Sequence, residues 1–143
     1  LSQLKDHKSM HFDYEGDLVA VMPEGKGKAL FESGDSYTGE WKAGLPDGMG
    51  IYLMVDSGRY EGNVQMGFRA GWGVAYYPDG SYYRGNWDQD LYHGQGKRVL
   101  ADSSYYQGNW KMGEKCNSEI RPCISPVIFN SNHNHCSSFC PFI

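Results

Sequence analysis

Apolar and polar positions recur along most of the chain with a period of 23 residues, marked by Tyr14, Tyr37, Tyr60, Tyr83 and Tyr106. Two residues after each tyrosine comes a glycine (Gly16, Gly39, Gly62, Gly85, Gly108), and two further on Leu18, Trp41, Val64, Trp87 or Trp110. A second glycine pair follows at Gly25/Gly27, Gly48/Gly50, Gly71/Gly73 and Gly94/Gly96. Between these positions the residues stay polar in every copy: Glu15/Asp17, Thr38/Glu40, Glu61/Asn63, Arg84/Asn86, Gln107/Asn109. A two-residue alternation with one polar set predicts an antiparallel sheet with one wet face. Glycine between two rings leaves bare backbone over which a neighbouring ring can lie.

Each unit reads as two strands. A loop over Lys42–Asp47 separates them, and Gly48-Met49-Gly50 opens the second. That strand ends in paired apolar positions: Leu30/Phe31, Leu53/Met54, Tyr76/Tyr77, Val99/Leu100. Pro78-Asp79-Gly80-Ser81, Glu32-Ser33-Gly34-Asp35, Asp56-Ser57-Gly58 and Asp102-Ser103-Ser104 supply the turn chemistry that closes each unit. No 3.6-residue apolar period persists, so no helix is expected. The predicted units are 14–36, 37–59, 60–82, 83–105 and a partial 106–113, nine strands in all. Residues 1–13 and the Cys/His/Ser/Asn-rich tail 114–143 are expected to be disordered.

The run Tyr37-Thr-Gly-Glu-Trp41-Lys-Ala-Gly44-Leu-Pro-Asp-Gly48-Met-Gly50 resembles the MORN (membrane occupation and recognition nexus) repeat at every signature position. The resemblance covers Tyr14 to Gly113. It implies an all-β fold: an elongated, curved, single-layer antiparallel sheet of stacked β-hairpins of about 23 residues with an aromatic-lined groove, each hairpin touching only its neighbours. Departures occur at Leu18 and Val21, at Val64, and at Asp90, where the pattern has tryptophan or glycine. The resemblance also implies function. The family includes radial-spoke and other axonemal proteins, junctophilins and cytoskeletal organisers, which points to a non-catalytic scaffold for protein–protein interaction in a cytoskeletal or ciliary setting. The alternatives it implies are a regulatory module or fragment of a larger enzyme (a lipid kinase or a SET-domain methyltransferase), or a phospholipid-binding module.

Composition narrows this picture. A formal net charge of -4 supplies no basic field for nucleic acid. Lys26/Lys28 and Lys97/Arg98 are the only tight basic groups, so lipid binding is disfavoured. Leu1–Phe12 lacks the apolar core of a signal peptide, and no run reaches the roughly 18 apolar residues of a spanning helix. All four cysteines (Cys116, Cys123, Cys136, Cys140) follow residue 115, and a cysteine-free body fits a reducing cytosol. The expected localisation is therefore cytoplasmic. The chain opens on Leu1, which reads as a fragment or processed form. Asn117 and Glu119 stand where the repeat would place glycines, and residues from 115 read as an alternative exon or read-through frame.

No candidate catalytic constellation emerges. His93 has no recurring nucleophile beside it and reads as a loop residue. Asp56, Asp79 and Asp102 sit in turns, where carboxylates satisfy backbone N–H groups. Gly71-Trp72-Gly73 lacks the helix of a phosphate cradle. The spacing of the tail's Cys, His133 and His135 matches no standard zinc site. No enzyme activity, cofactor or metal is expected. Protein contact is expected through Trp41, Trp72, Tyr76, Tyr77, Tyr82, Trp87, Tyr105 and Trp110, with Trp72, Tyr76, Tyr77, Tyr82 and Tyr105 favoured because the repeat does not require them. The regular rings, such as Tyr37 and Trp41, read first as core. Open end strands invite self-association.

Overall fold

The structure, a computed structural model, describes residues 12–115. Among them are ten strands: β1 Phe12–Val19, β2 Met22–Phe31, β3 Ser36–Lys42, β4 Leu45–Met54, β5 Gly58–Gln65, β6 Phe68–Tyr76, β7 Tyr82–Asp88, β8 Leu91–Val99, β9 Tyr105–Lys111 and β10 Glu114–Lys115. They form a single antiparallel meander in which each strand pairs only with its sequence neighbours. Nine steps of about 4.8 Å give a ribbon about 43 Å across. The expected all-β stack of hairpins is thus the observed fold.

Two rows of residues run straight across this ribbon. In register lie Tyr14, Ala29, Tyr37, Tyr52, Tyr60, Ala75, Tyr83, Arg98 and Tyr106. Beside them runs an unbroken line of nine glycines, from Gly16 and Gly27 to Gly96 and Gly108. The rings of Tyr14, Tyr37, Tyr60 and Tyr83 each lie across the glycine of the following strand. A Cβ on Gly73 would fall 2.2 Å from the Tyr60 hydroxyl, and one on Gly50 2.2 Å from that of Tyr37. No side chain can occupy that space, which is why both strands need glycine there.

The hydroxyl explains why the ring is tyrosine. Register shifts at Gly16/Leu18, Gly39/Trp41, Gly62/Val64 and Gly85/Trp87 interrupt the ladder. In each repeat the tyrosine donates to the carbonyl three residues on: Tyr14 to Asp17 (2.9 Å), Tyr37 to Glu40 (3.0 Å), Tyr60 to Asn63 (2.6 Å), Tyr83 to Asn86 (2.8 Å) and Tyr106 to Asn109 (3.0 Å). The tryptophans stitch repeats together. The indole N–H groups of Trp41, Trp87 and Trp110 donate to the carbonyls of Gly27, Gly73 and Gly96 at 3.0–3.2 Å. Each ring meets two tyrosines edge-on, its own and that of the preceding repeat: for Trp87, Tyr83 at 5.0 Å and Tyr60 at 5.4 Å.

The third repeat solves the same problem differently. Val64 cannot bridge Tyr37 and Tyr60. Tyr52, which stands in the row where other repeats carry Ala29 or Ala75, packs on Tyr37 (4.6 Å) and donates to the Gly67 carbonyl (3.1 Å). Between the third and fourth repeats Arg69 lies over Trp87 (4.2 Å) and is held by Asp90 through its backbone N–H (2.8 Å) and Nε (3.0 Å).

The structure corrects three boundaries. Lys42–Asp47 is not a loop: β3 runs to Lys42, β4 starts at Leu45, and Ala43-Gly44 alone turns the chain. The equivalent pairs 20–21, 43–44, 66–67, 89–90 and 112–113 all have positive φ at both residues, the hairpin geometry that matches strand twist. The second turn residue hangs each hairpin on the one before, as Gly44 N donates to Pro23 O (2.9 Å) and Gly67 N to Pro46 O (2.8 Å). Val21 and Asp90 hold this left-handed position without glycine, at φ 61° and 68°. Secondly, Phe12 and Asp13 belong to β1 rather than to a disordered leader, because Phe12 stacks on Trp41 (5.8 Å) and meets Phe31 edge-on (5.5 Å). Finally, the partial fifth hairpin does not stop at 113: Glu114 and Lys115 pair back with Lys111 and Trp110 as a tenth strand. The remaining expectations for residues 1–11 and 116–143, including every cysteine with His133 and His135, lie outside the described residues.

Candidate interaction surface

The two faces of the sheet have different chemistry. The repeat tyrosines (Tyr14 to Tyr106) and Trp41, Trp87 and Trp110 share one face and are buried there by one another. On the opposite face the odd strands present Glu15, Thr38, Glu40, Glu61 and Asn63, as the alternation predicts. Of the even strands, β2 and β8 follow it with Lys26/Lys28 and Gln95/Lys97, but β4 and β6 do not. β4 presents Met49, Ile51 and Leu53, and β6 presents Trp72, Val74 and Tyr76, two apolar stripes separated by β5.

A shallow open groove of about 1080 Å³ runs over this face from β1 to β6, its floor the backbone of the glycine row. Met49, Ile51, Trp72 and Val74 give it apolar surface, and Glu15, Glu40, Glu61, Lys26 and Lys28 give it charges of both signs. Trp72 is 51% exposed and Met49 55% exposed. Glu40 is fixed by accepting the Met49 N–H, and Glu61 by an ion pair with Arg59. Such a surface offers an anchoring ring, flexible aliphatic contacts and a charged rim, the composition of a protein-binding site.

The perturbed titrations lie elsewhere. Burial pushes the Tyr37 phenol up to about 12, and burial likewise raises Tyr14, Tyr52, Tyr60, Tyr83 and Tyr92, all on the ring face. Asp79 and Asp102 are held below the usual carboxylate range by hydrogen bonds from the hydroxyl and N–H of Ser81 and Ser104. These aspartates therefore lock turns.

The MORN repeat pattern matches residues 14–36, 37–59, 60–82, 83–105 and 106–117. The chain belongs to the MORN-repeat family. No curated relative matches it.

Within this MORN array the residues expected to contact a partner divide between the faces. Trp41, Trp87 and Trp110 are only 3–4% exposed, so their rings belong to the core and are not presented to a partner. The expectation of an aromatic-lined groove is corrected accordingly: the groove lies on the other face, and Trp72 is its one ring. Tyr77 is also on the ring face, half-buried, with its hydroxyl bonded to that of Tyr92 and Arg98 4.6 Å from its ring. Trp72, Tyr76, Tyr82 and Tyr105 lie on the groove face. Tyr76 and Tyr82 pair in register 6.4 Å apart, and Lys97 sits 4.5 Å from the Tyr105 ring. Tyr76 and Tyr82 flank the groove without lining it, and Tyr105 on β9 lies beyond it.

Sequence reasoning missed Met49, Ile51 and Val74. The outward positions of the first strand of each MORN unit are polar throughout, and that regularity hid the second strands. Comparing residues 26/28, 49/51, 72/74 and 95/97 as a set would have exposed them: Lys/Lys, Met/Ile, Trp/Val and Gln/Lys. His93, expected to be a loop residue, lies instead within β8, its Nδ1 accepting the Met112 N–H of the next hairpin's turn at 3.4 Å.

Proposed function

We propose that this MORN array is a non-catalytic scaffold that binds protein through the groove face, with Trp72 as its anchor. One observation carries the reading. The array consumes its repeat-specific rings in its own core, yet Trp72, which neither the repeat nor the core requires, lies half-exposed in a groove lined by Met49, Ile51 and Val74. A large ring left in water at the β6 end of an open groove is worth most when a partner covers it. The proposed setting, cytoskeletal or ciliary, rests on the range of proteins that carry the repeat.

The test is affinity capture from ciliated-cell extract with the tagged full chain, followed by mass spectrometry, beside a Trp72→Ala/Met49→Ala variant. Axonemal or cortical proteins captured by the native chain and lost by the variant support both groove and setting. Capture that survives the double substitution removes the groove from the reading.

A further inference from the structure

One position in each of the first four hairpins is apolar and exposed without contributing to the core. Met22, Leu45, Phe68 and Leu91 stand one repeat apart, each the first residue after the two-residue turn, and each is 38–52% exposed. Turn residues Met66 and Met112, more than half exposed, add to the line. The result is an apolar stripe along the turn-bearing edge of the sheet, separate from the groove, whose lining includes none of these residues.

We infer that this edge docks an amphipathic α-helix with an apolar heptad seam and basic flanks. The pitch argues for it. Successive hairpins repeat every two strands, about 9.6 Å. Two turns of helix rise about 10.5 Å over seven residues, and a tilt of about 24° brings the projected spacing to the hairpin pitch. The second and third hairpins offer two apolar residues each, Ala43 with Leu45 and Met66 with Phe68, as a heptad seam offers two per repeat. An extended strand covers the same pitch in about three residues, and its two-residue alternation turns every other contact away. Aliphatic and methionine side chains suit a helix seam better than a proline helix, which seeks aromatic grooves. Charge gives the flanks. Glu24, Asp47, Asp88 and Glu114 border the stripe with Lys42, Lys111 and Lys115, while Arg69 beside Phe68 is paired with Asp90; the slight excess of acid favours Lys and Arg beside the seam over an anionic membrane surface.

This second surface rests on the scaffold reading but not on the groove, and its test separates the two. The probe is a fluorescent 28-residue synthetic peptide with Leu at heptad a and d positions and Lys/Arg beside them, titrated with the full chain at physiological salt. Saturable micromolar binding is expected, weakened roughly tenfold by Leu45→Ser/Phe68→Ser and unchanged by Trp72→Ala. Circular dichroism and urea midpoints would confirm that the exposed-site variants stay folded. The inference is overturned by any of four results. These are no saturation, equal binding of a composition-matched peptide with the seam scrambled, and tighter binding of a peptide with proline at every third residue. The fourth is loss, in the double variant, of self-association or of binding to phosphatidylserine vesicles.

Discussion

The ring face and the groove face are built from the same ten strands, yet they obey different rules. On the ring face each of the first four repeats places tyrosine over glycine, and every repeat after the first, bar the third, sets a tryptophan against the preceding tyrosine. A hairpin in a single-layer array has no second layer to bury it, so it is stabilised by the hairpin before it through a row that must continue unbroken. The groove face carries no such burden. Its outward residues change from Lys/Lys on β2 to Met/Ile on β4 and Trp/Val on β6. Periodicity in this protein therefore marks what holds the sheet, and departures from periodicity on the far face mark what is free to be used.

High pH breaks the comparison most completely, because the phenols that burial raises all lie on the ring face. Their folded pKa values exceed the ordinary 10, so the fold favours the neutral phenol. The stabilisation is full below pH 10 and is lost as pH rises through about 12 for Tyr37 and beyond for Tyr52, Tyr60, Tyr83 and Tyr92. Cooperative unfolding above pH 10, followed by far-ultraviolet circular dichroism together with tyrosinate absorbance, is the expected outcome. Tyrosinate absorbance that completes near pH 10 while the sheet persists would show that these rings are not held by burial.

Single substitutions sharpen the contrast. Trp87→Ala removes an indole packed on Tyr60, Tyr83 and Tyr92 and its bond to Gly73, and should cost about 3–5 kcal/mol in urea unfolding. Trp72→Ala, an equal loss of ring on the other face, should change stability by no more than about 0.5 kcal/mol. Comparable costs for the two would mean that the groove face is structural.

Much of this was legible before the structure. The 23-residue spacing of tyrosine and glycine gives the strand count per repeat, the antiparallel order and the core row, because a meander places each repeat's tyrosine in register with the next. The turns were less legible. Ala43, Met66 and Gln89 adopt positive φ with no Asn-Gly signal, since inter-hairpin hydrogen bonds from the following residue hold the geometry. The candidate site was legible only in part. Alternation assigns Trp41 and Trp72 to opposite faces, but in a sheet with aromatics on both sides it does not say which face the rings close over. That is decided by the glycine row, onto which the tyrosines fold and where they bury Trp41, Trp87 and Trp110.

The third repeat offers the finest test, because it departs from the pattern on the ring face itself. If Tyr52 does the work of the missing tryptophan, Val64→Trp should overfill the space between Tyr37 and Tyr60 and destabilise by about 1–3 kcal/mol. Tyr52→Ala should open a cavity and cost about 2–4 kcal/mol. Together the two substitutions would recreate the alanine-and-tryptophan arrangement of Ala29 with Trp41 and Ala75 with Trp87. The double variant should then be more stable than the sum of the single losses, by a coupling of about 1–3 kcal/mol in urea midpoint measurements. Strict additivity would mean that Tyr52 and Val64 do not share that space. The third repeat would then be a weak point in the ladder rather than a second way of closing it. It also carries β6, the strand that presents Trp72 to the groove, so a weak third repeat would soften the binding face at its anchor.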